Sequence, residues 1–265
     1  MAGSLLRGTA FITGAGSGIG QFTAYSLAKY GVDKLVLCDI ASHKLEQTTK
    51  ELEARHKHIE ILQIEMDVSR EAEVNSAVEQ TVKRFGRIDI GVNNAGIGEA
   101  GRTDQLGLDK WQKVLSVDLD GVWLCQRAQI RQMLRQEPLN PPPRGNRGVI
   151  INVASMLGLV ASSPGTPAVA YTAAKHGVMG LTRTDAVMYA PQGIRINAIC
   201  PGYIATPLIK AVESEGVMAG EISKVPQNRL GEPEEIGDMV ALMASPMASF
   251  MTGAGVVVDG GYTAQ

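Results

Sequence analysis

Cysteine and histidine are scarce in this chain of 265 residues, with three of the first and four of the second. Cys38, Cys125 and Cys200 are odd in number, far apart and set in apolar stretches. That pattern excludes a disulfide framework and a metal knuckle, and it reads as buried reduced thiols in a cytoplasmic protein. His43, His56, His58 and His176 stand in polar segments without metal-ligand company, so no metal centre is expected and all four read as surface residues. No apolar run reaches the ~18 residues of a membrane span. The short apolar stretch near the N-terminus runs straight into a glycine-rich turn, which reads as a first strand and not as a signal peptide. The net charge is only −2 and the basic residues are scattered, leaving no electrostatic footprint for nucleic acid.

What the chain does have is apolar residues, at 45%, and 30 glycines against 20% charged residues. That composition buries a substantial core, and nothing in the middle reads as a linker, so residues 1–265 are expected to form one domain. Short runs of Val, Ile and Leu alternate with longer amphipathic stretches, the pattern of strands joined by crossover helices. Strands are predicted near 8–13, 33–39, 59–66, 88–93, 147–153, 194–199 and 255–258. The class is α/β, a doubly wound Rossmann-type parallel sheet of seven strands with helices on both faces. Its ligand site must lie at the carboxyl ends of the strands. Two stretches are irregular: the proline-rich Glu137–Arg147, read as an exposed loop, and about 207–227, read as a mobile helical flap over the pocket.

Three local signals carry chemistry. Thr13-Gly-Ala-Gly-Ser-Gly-Ile-Gly20 lies between the first strand and a helix, where a turn without side chains lets the backbone approach a pyrophosphate. Tyr171 and Lys175, four apart on a helix, share one face, so the ammonium can stabilise a phenolate. Ser155 precedes them, at the end of the fifth strand.

Read together, these segments resemble the short-chain dehydrogenase/reductase family, in its classical branch. Asn93-Asn-Ala-Gly96, Pro201-Gly202 with Thr206, and Val258-Asp-Gly-Gly261 are similar to three further motifs of that family, in the same order along the chain. The resemblance spans roughly residues 5–262. It implies a strand order of 3-2-1-4-5-6-7, a nicotinamide cofactor and a homotetramer. By the same resemblance Tyr171 is the general acid/base, Lys175 supports it and holds the nicotinamide ribose, and Ser155 orients the substrate oxygen. Cofactor-binding positions carried over are Gly14, Ser17, Gly18, Ile19, Gly20, Asp39, Ile40, Asp67, Val68, Asn94, Ala95, Gly96, Pro201, Gly202, Ile204 and Thr206, with Tyr171 and Lys175 shared. Asp39 ends the second strand, where a carboxylate accepts both ribose hydroxyls and repels a 2′-phosphate. With no arginine or lysine at Ser17 or Ile40, NAD is expected over NADP. Asp67 resembles the acid that contacts adenine, with Asx-turn duty as the alternative.

The chain departs from the family at two places. Ser155 and Tyr171 are 16 positions apart, about three more than usual, so the loop Leu157–Ala170 is expected to bulge and shape the substrate pocket. Asp118 stands in the long fourth helix where the family carries an asparagine that helps hold a relay water. It either faces that relay beside Lys175 or points into a helix interface. Ile97, Met156, Leu157, Tyr203 and Leu208 are candidate pocket residues, mainly apolar. The reading is an NAD(H)-dependent oxidoreductase interconverting a secondary alcohol and a ketone on a fairly apolar small molecule, with dehydrogenation favoured by cytosolic NAD pools. The alternatives are a non-redox cyclase or isomerase on the same fold, and a non-catalytic dinucleotide-binding protein.

Overall fold

The structure is a computed structural model that describes residues 5–139, 143–207, 209 and 218–265. The strands are β1 (Thr9–Thr13), β2 (Lys34–Asp39), β3 (Glu60–Glu65), β4 (Ile90–Asn93), β5 (Gly148–Val153), β6 (Ile194–Pro201) and β7 (Gly255–Val258). They pair in parallel throughout, in the order β3-β2-β1-β4-β5-β6-β7. Between them run α1 (Gly18–Lys29), α2 (Ser42–Arg55), α3 (Glu71–Phe85), α4 (Leu108–Leu115), α5 (Gly121–Met133), α6 (Val169–Tyr189), α7 (Ala219–Ile222) and α8 (Pro233–Ala244).

Because helices cover both faces of the sheet, the inner strands are apolar at consecutive positions. Ala10 and Ile12 of β1 pack into the layer that holds Leu27 of α1, Leu45 of α2 and Val240 of α8. Phe11, between them in sequence, enters the opposite layer with Val74 of α3 and Ala128 of α5. Each of the three is fully buried, and a side chain of the size of Ile12 or Phe11 contributes roughly 1.5–3 kcal/mol by leaving water. Helix ends follow local chemistry. α8 opens on Pro233 with a reciprocal capping box between Glu232 and Glu235, and α3 stops at Gly86, whose φ of 82° a side chain would resist.

β7 falls at its expected limits, and the other strands differ from theirs by one or two residues. β6 runs on to Pro201 because Cys200 and Pro201 stay in register with Val257 and Val258 of β7. The expected long fourth helix is interrupted: Ser116–Asp120 form a π turn between α4 and α5, with helical backbone angles on either side. Such widened turns gather at functional sites, and this one carries Asp118. Residues 208 and 210–217 of the expected flap, Leu208 among them, lie outside the described residues, as do 140–142 of the proline-rich loop. No helix among the described residues is long and apolar enough to cross a membrane.

Candidate active site

The order β3-β2-β1-β4 makes the chain leave β1 in one direction and return in the other, which opens a crevice at the carboxyl ends of β1 and β4. A cleft of about 450 Å³ occupies it. Thr13 and Asn94 join its two sides. Thr13 Oγ1 accepts from the backbone N–H of Asn94 and of Ala95, each at 3.0 Å, and Asn94 Nδ2 donates to the Thr13 carbonyl at 3.0 Å.

The glycine turn fits over this joint because it has no side chains. Gly14 and Gly18 have φ of 66° and 54°. A Cβ on Gly14 would stand 2.7 Å from Asn94 Nδ2, and one on Gly20 would stand 2.5 Å from the same atom. Real Cβ atoms do not approach so closely. The turn delivers the N-terminus of α1 to the cleft, where Ser17 makes no side-chain cap, leaving first-turn N–H donors for an anion. Glycine cradle, helix end and cleft together fit the pyrophosphate of a dinucleotide. Gly20→Ala is expected to lower the melting temperature and weaken dinucleotide binding together, since its methyl would part the turn from β4; calorimetry with and without NAD measures both.

At the β2 end of the cleft, Asp39 faces inward with both oxygens held by backbone. Oδ2 accepts from Gly16 N at 2.9 Å and Oδ1 from Ala41 N at 3.0 Å. Ile40 beside it is 66% exposed, an apolar surface at the rim. Asp67 performs the Asx-turn duty weighed above, since its Oδ1 accepts from Ser69 N at 2.9 Å and from Ser69 Oγ at 2.7 Å. It also lines the cleft. Burial pushes its carboxyl up, but Ser69's hydrogen bonds and the charges of Lys113 and Arg70 outweigh that and hold it below the usual range. Lys113 is a cleft residue that sequence reasoning missed. Its spacing of four from Val117, another lining residue, is the signal that could have found it.

At the other end, Tyr171 and Lys175 stand on α6 one turn apart, and Lys175 Nζ lies 5.3 Å from the centre of the Tyr171 ring. Ser155 caps a short 3₁₀ turn after β5, its Oγ accepting from Leu157 N at 3.1 Å. Lys175 is 3% exposed and donates to the carbonyl of Val153 at 3.0 Å. Asp118 is fully buried and faces the same lysine, with Nζ to Oδ2 at 3.4 Å, while its Oδ1 accepts from Ile97 N at 2.8 Å. Of the two placements expected for Asp118, the structure therefore shows the one beside Lys175. Gly96 allows the approach, since a Cβ there would lie 3.1 Å from Asp118 Oδ2. Burial favours a neutral amine, but Asp118 and Tyr171 outweigh it and hold Lys175 above the usual lysine value. Burial raises the Asp118 carboxyl as well, partly offset by Lys175 and by the Ile97 N–H. Pro201, Gly202, Ile204 and Thr206 close the cleft from the end of β6, with the Thr206 methyl 3.2 Å from where a Cβ on Gly18 would stand.

Every described site residue predicted above lines this cleft except Gly20, which packs against the turn from behind. The substrate-pocket candidates fare differently. Ile97 lines the cleft, whereas Met156, Leu157 and Tyr203 do not. Met156 is 1% exposed because the 3₁₀ turn after Ser155 points it into the core, and the Tyr203 hydroxyl is drawn away to Glu221.

Residues 14–263 match the family profile described as enoyl-(acyl carrier protein) reductase. The chain is 38% identical to a short-chain dehydrogenase of Aspergillus ruber, over 97% of each chain. It is also 38% identical to the cyclohexanol dehydrogenase of an Acinetobacter species, over 97% of this chain and 95% of that one. Among solved structures, that of levodione reductase superposes with a TM-score of 0.89 at 37% identity, over 97% of this chain and 98% of the other. With the sheet order, the glycine turn and the Ser155, Tyr171 and Lys175 group already in one cleft, these similarities lead to one conclusion: the chain belongs to the classical short-chain dehydrogenase/reductase family.

Proposed function

We propose that the protein is an NAD-dependent dehydrogenase that oxidises a secondary alcohol on a fairly apolar small molecule to the ketone, and catalyses the reverse reduction. The observation that carries this reading is the placement of Lys175 beside the Tyr171 ring in the cleft that also holds Ser155, the glycine turn and Asp39. The names of the relatives agree with it, since one acts on cyclohexanol and another structure is a levodione reductase. Ile97, Ile204 and Ile209 at the cleft support an apolar substrate.

When bound, NAD supplies a hydride acceptor at C4 of its nicotinamide ring. The remaining steps belong to the chain. Ser155 Oγ accepts from Leu157 N, which leaves its own O–H free to donate to the substrate oxygen. Tyr171 Oη takes the hydroxyl proton while hydride leaves the carbinol carbon; in reduction it returns that proton. The Val153 carbonyl takes one of the three protons of Lys175 and Asp118 lies on another side, which leaves the cleft side for a ribose hydroxyl. Mixing the protein with NAD and a panel of cyclic and linear secondary alcohols, followed by NADH absorbance, tests the proposal. Dinucleotide binding without turnover of any alcohol or ketone would overturn it in favour of a non-redox role.

The Asp118–Lys175 pair sets a pH prediction. Burial favours a neutral Lys175, and the facing carboxylate is the main charge that holds its ammonium above the usual lysine value. Asp118→Asn removes that charge and keeps an acceptor for Ile97 N, so the basic limb of the oxidation profile, where Lys175 gives up its proton, should move to lower pH with little loss of maximal rate. A pH–rate curve and a melting curve on this variant decide the matter. An unmoved profile beside a changed melting temperature would make Asp118 a structural residue only.

We also propose a cytoplasmic homo-oligomer, a tetramer in keeping with the family. Free buried Cys38, Cys125 and Cys200 support a reducing compartment. Exposed apolar side chains support assembly: Trp123 on α5, Val187 and Met188 on α6, Met247 and Phe250 after α8, and Val257 on β7. Sedimentation velocity should show an assembly larger than a monomer, reduced in size by Phe250→Asp.

A further inference from the structure

Outside the cleft, one buried carboxylate gathers more partners than any structural need of its own element explains. Glu221, on the one-turn helix α7, is 4% exposed. Its Oε2 accepts from the hydroxyls of Tyr262 at 2.9 Å and Tyr203 at 3.3 Å, and its Oε1 from Lys224 Nζ at 2.8 Å. The two tyrosine rings meet edge to face with centroids 5.4 Å apart. Lys224 Nζ reaches on to Ser163 Oγ at 3.3 Å, and Glu221 Oε1 lies 3.7 Å from where a Cβ on Gly165 would stand. Thus one charge joins the turn after β6, the chain terminus after β7, the segment around α7 and the loop 157–168.

That loop is the one lengthened between Ser155 and Tyr171. It runs directly into α6, where Tyr171 is the third residue, and the helix starts at Ala168 without a side-chain cap. Within the loop, Ser162 Oγ accepts from Ala168 N at 3.2 Å and Ser163 Oγ from Gly165 N at 3.3 Å. From outside, the loop is tied on two sides. On one side Gly101 N donates to Pro167 O at 2.8 Å and Val169 N to Gly101 O at 3.3 Å. On the other side stands the Glu221 and Lys224 pair.

We infer that Glu221 is a positioning residue for the substrate side of the active site, holding the loop 157–168 in the place that admits the alcohol beside Ser155 and Tyr171. The inference rests on the function proposed above and names a determinant of substrate fit within it. Lys224 and the Ser163 and Tyr262 hydroxyls keep the carboxyl ionised against its burial, so the clasp is charged at neutral pH. Its chemistry touches neither the glycine turn nor Asp39, and it reaches the dinucleotide side only through Tyr203, in the turn of Gly202 and Ile204.

Glu221→Ala opens the clasp, while Glu221→Gln keeps one carbonyl to accept from the two tyrosine hydroxyls. With NAD and cyclohexanol as probes, Glu221→Ala should raise the KM for the alcohol by ~10-fold or more, and weaken NAD binding and lower kcat each by less than that KM change. Glu221→Gln should recover only part of the loss, since its amide N–H groups would face Lys224 and the arm to Ser163 is given up. Hydrogen exchange at the amides of residues 160–168 should speed up in Glu221→Ala and stay slow at the glycine turn. Should Glu221→Ala fail to fold, Tyr262→Phe removes one arm and should show the same pattern more weakly. An unchanged alcohol KM with unchanged loop exchange, or losses in NAD affinity and kcat as large as the KM change, would overturn the inference. If wild type oxidises no secondary alcohol at all, the function proposed above fails, and the exchange measurement still judges the clasp.

Discussion

Tyr171→Phe is expected to lower turnover by at least ~10²-fold while NAD binding stays within about two-fold of wild type. The substitution keeps the ring, its place on the first turn of α6 and its face toward Lys175, and removes only the oxygen that exchanges a proton with the substrate. Lys175 keeps its Val153 and Asp118 partners in the variant, so the cleft should not rearrange. Kinetics with NAD and the best alcohol of the panel, with calorimetric titration of NAD, separate chemistry from binding. Retention of most activity in a folded Tyr171→Phe protein would move the proton transfer to another group.

The second large effect concerns cofactor choice. Asp39→Ala combined with Ile40→Arg should shift the ratio of kcat/KM from NAD towards NADP by ~10²-fold or more. Two like charges ~4 Å apart at an effective dielectric near 20 repel by about 4 kcal/mol, close to three orders of magnitude in affinity. In the structure the Asp39 carboxylate is pinned at the end of β2 by Gly16 N and Ala41 N, so it cannot swing away from a 2′-phosphate without giving up both bonds. Its removal also leaves those two N–H groups to water. A small drop in melting temperature should accompany the switch. Equal efficiency of the wild-type protein with NAD and NADP would remove the charge argument.

How far the site could be read in advance depended on the range of the interactions involved. Tyr171 and Lys175 were legible because four residues along a helix is a fixed geometry, and the glycine turn because backbone approach tolerates no side chain there. Asp67 was legible as two alternatives, and its Asx turn shows that one carboxyl oxygen can serve the loop while the residue still lines the cleft. Met156 and Tyr203 lie off the cleft because they sit in turns whose direction is set by other parts of the chain: Met156 is buried where its turn packs on α6 and β6, and the Tyr203 hydroxyl goes to Glu221 beside Tyr262.

The sequence by itself determined the α/β class, because hydrophobic period, turn glycines and helical spacing are local properties, while the sheet order and the choice of Ser155, Tyr171 and Lys175 came from its resemblance to the family. Only the tertiary structure decided where Asp118 points. A helix of regular pitch leaves both faces open to it, and the π turn at Ser116–Asp120, together with the bare Gly96, brings its carboxylate to Lys175. The tertiary structure alone also brought Glu221 to the loop before Tyr171, across 50 residues of chain between Tyr171 and Glu221. No local pattern encodes such a meeting, because it arises when β6, β7 and α6 pack side by side and a buried charge must find its partners among whatever lies there.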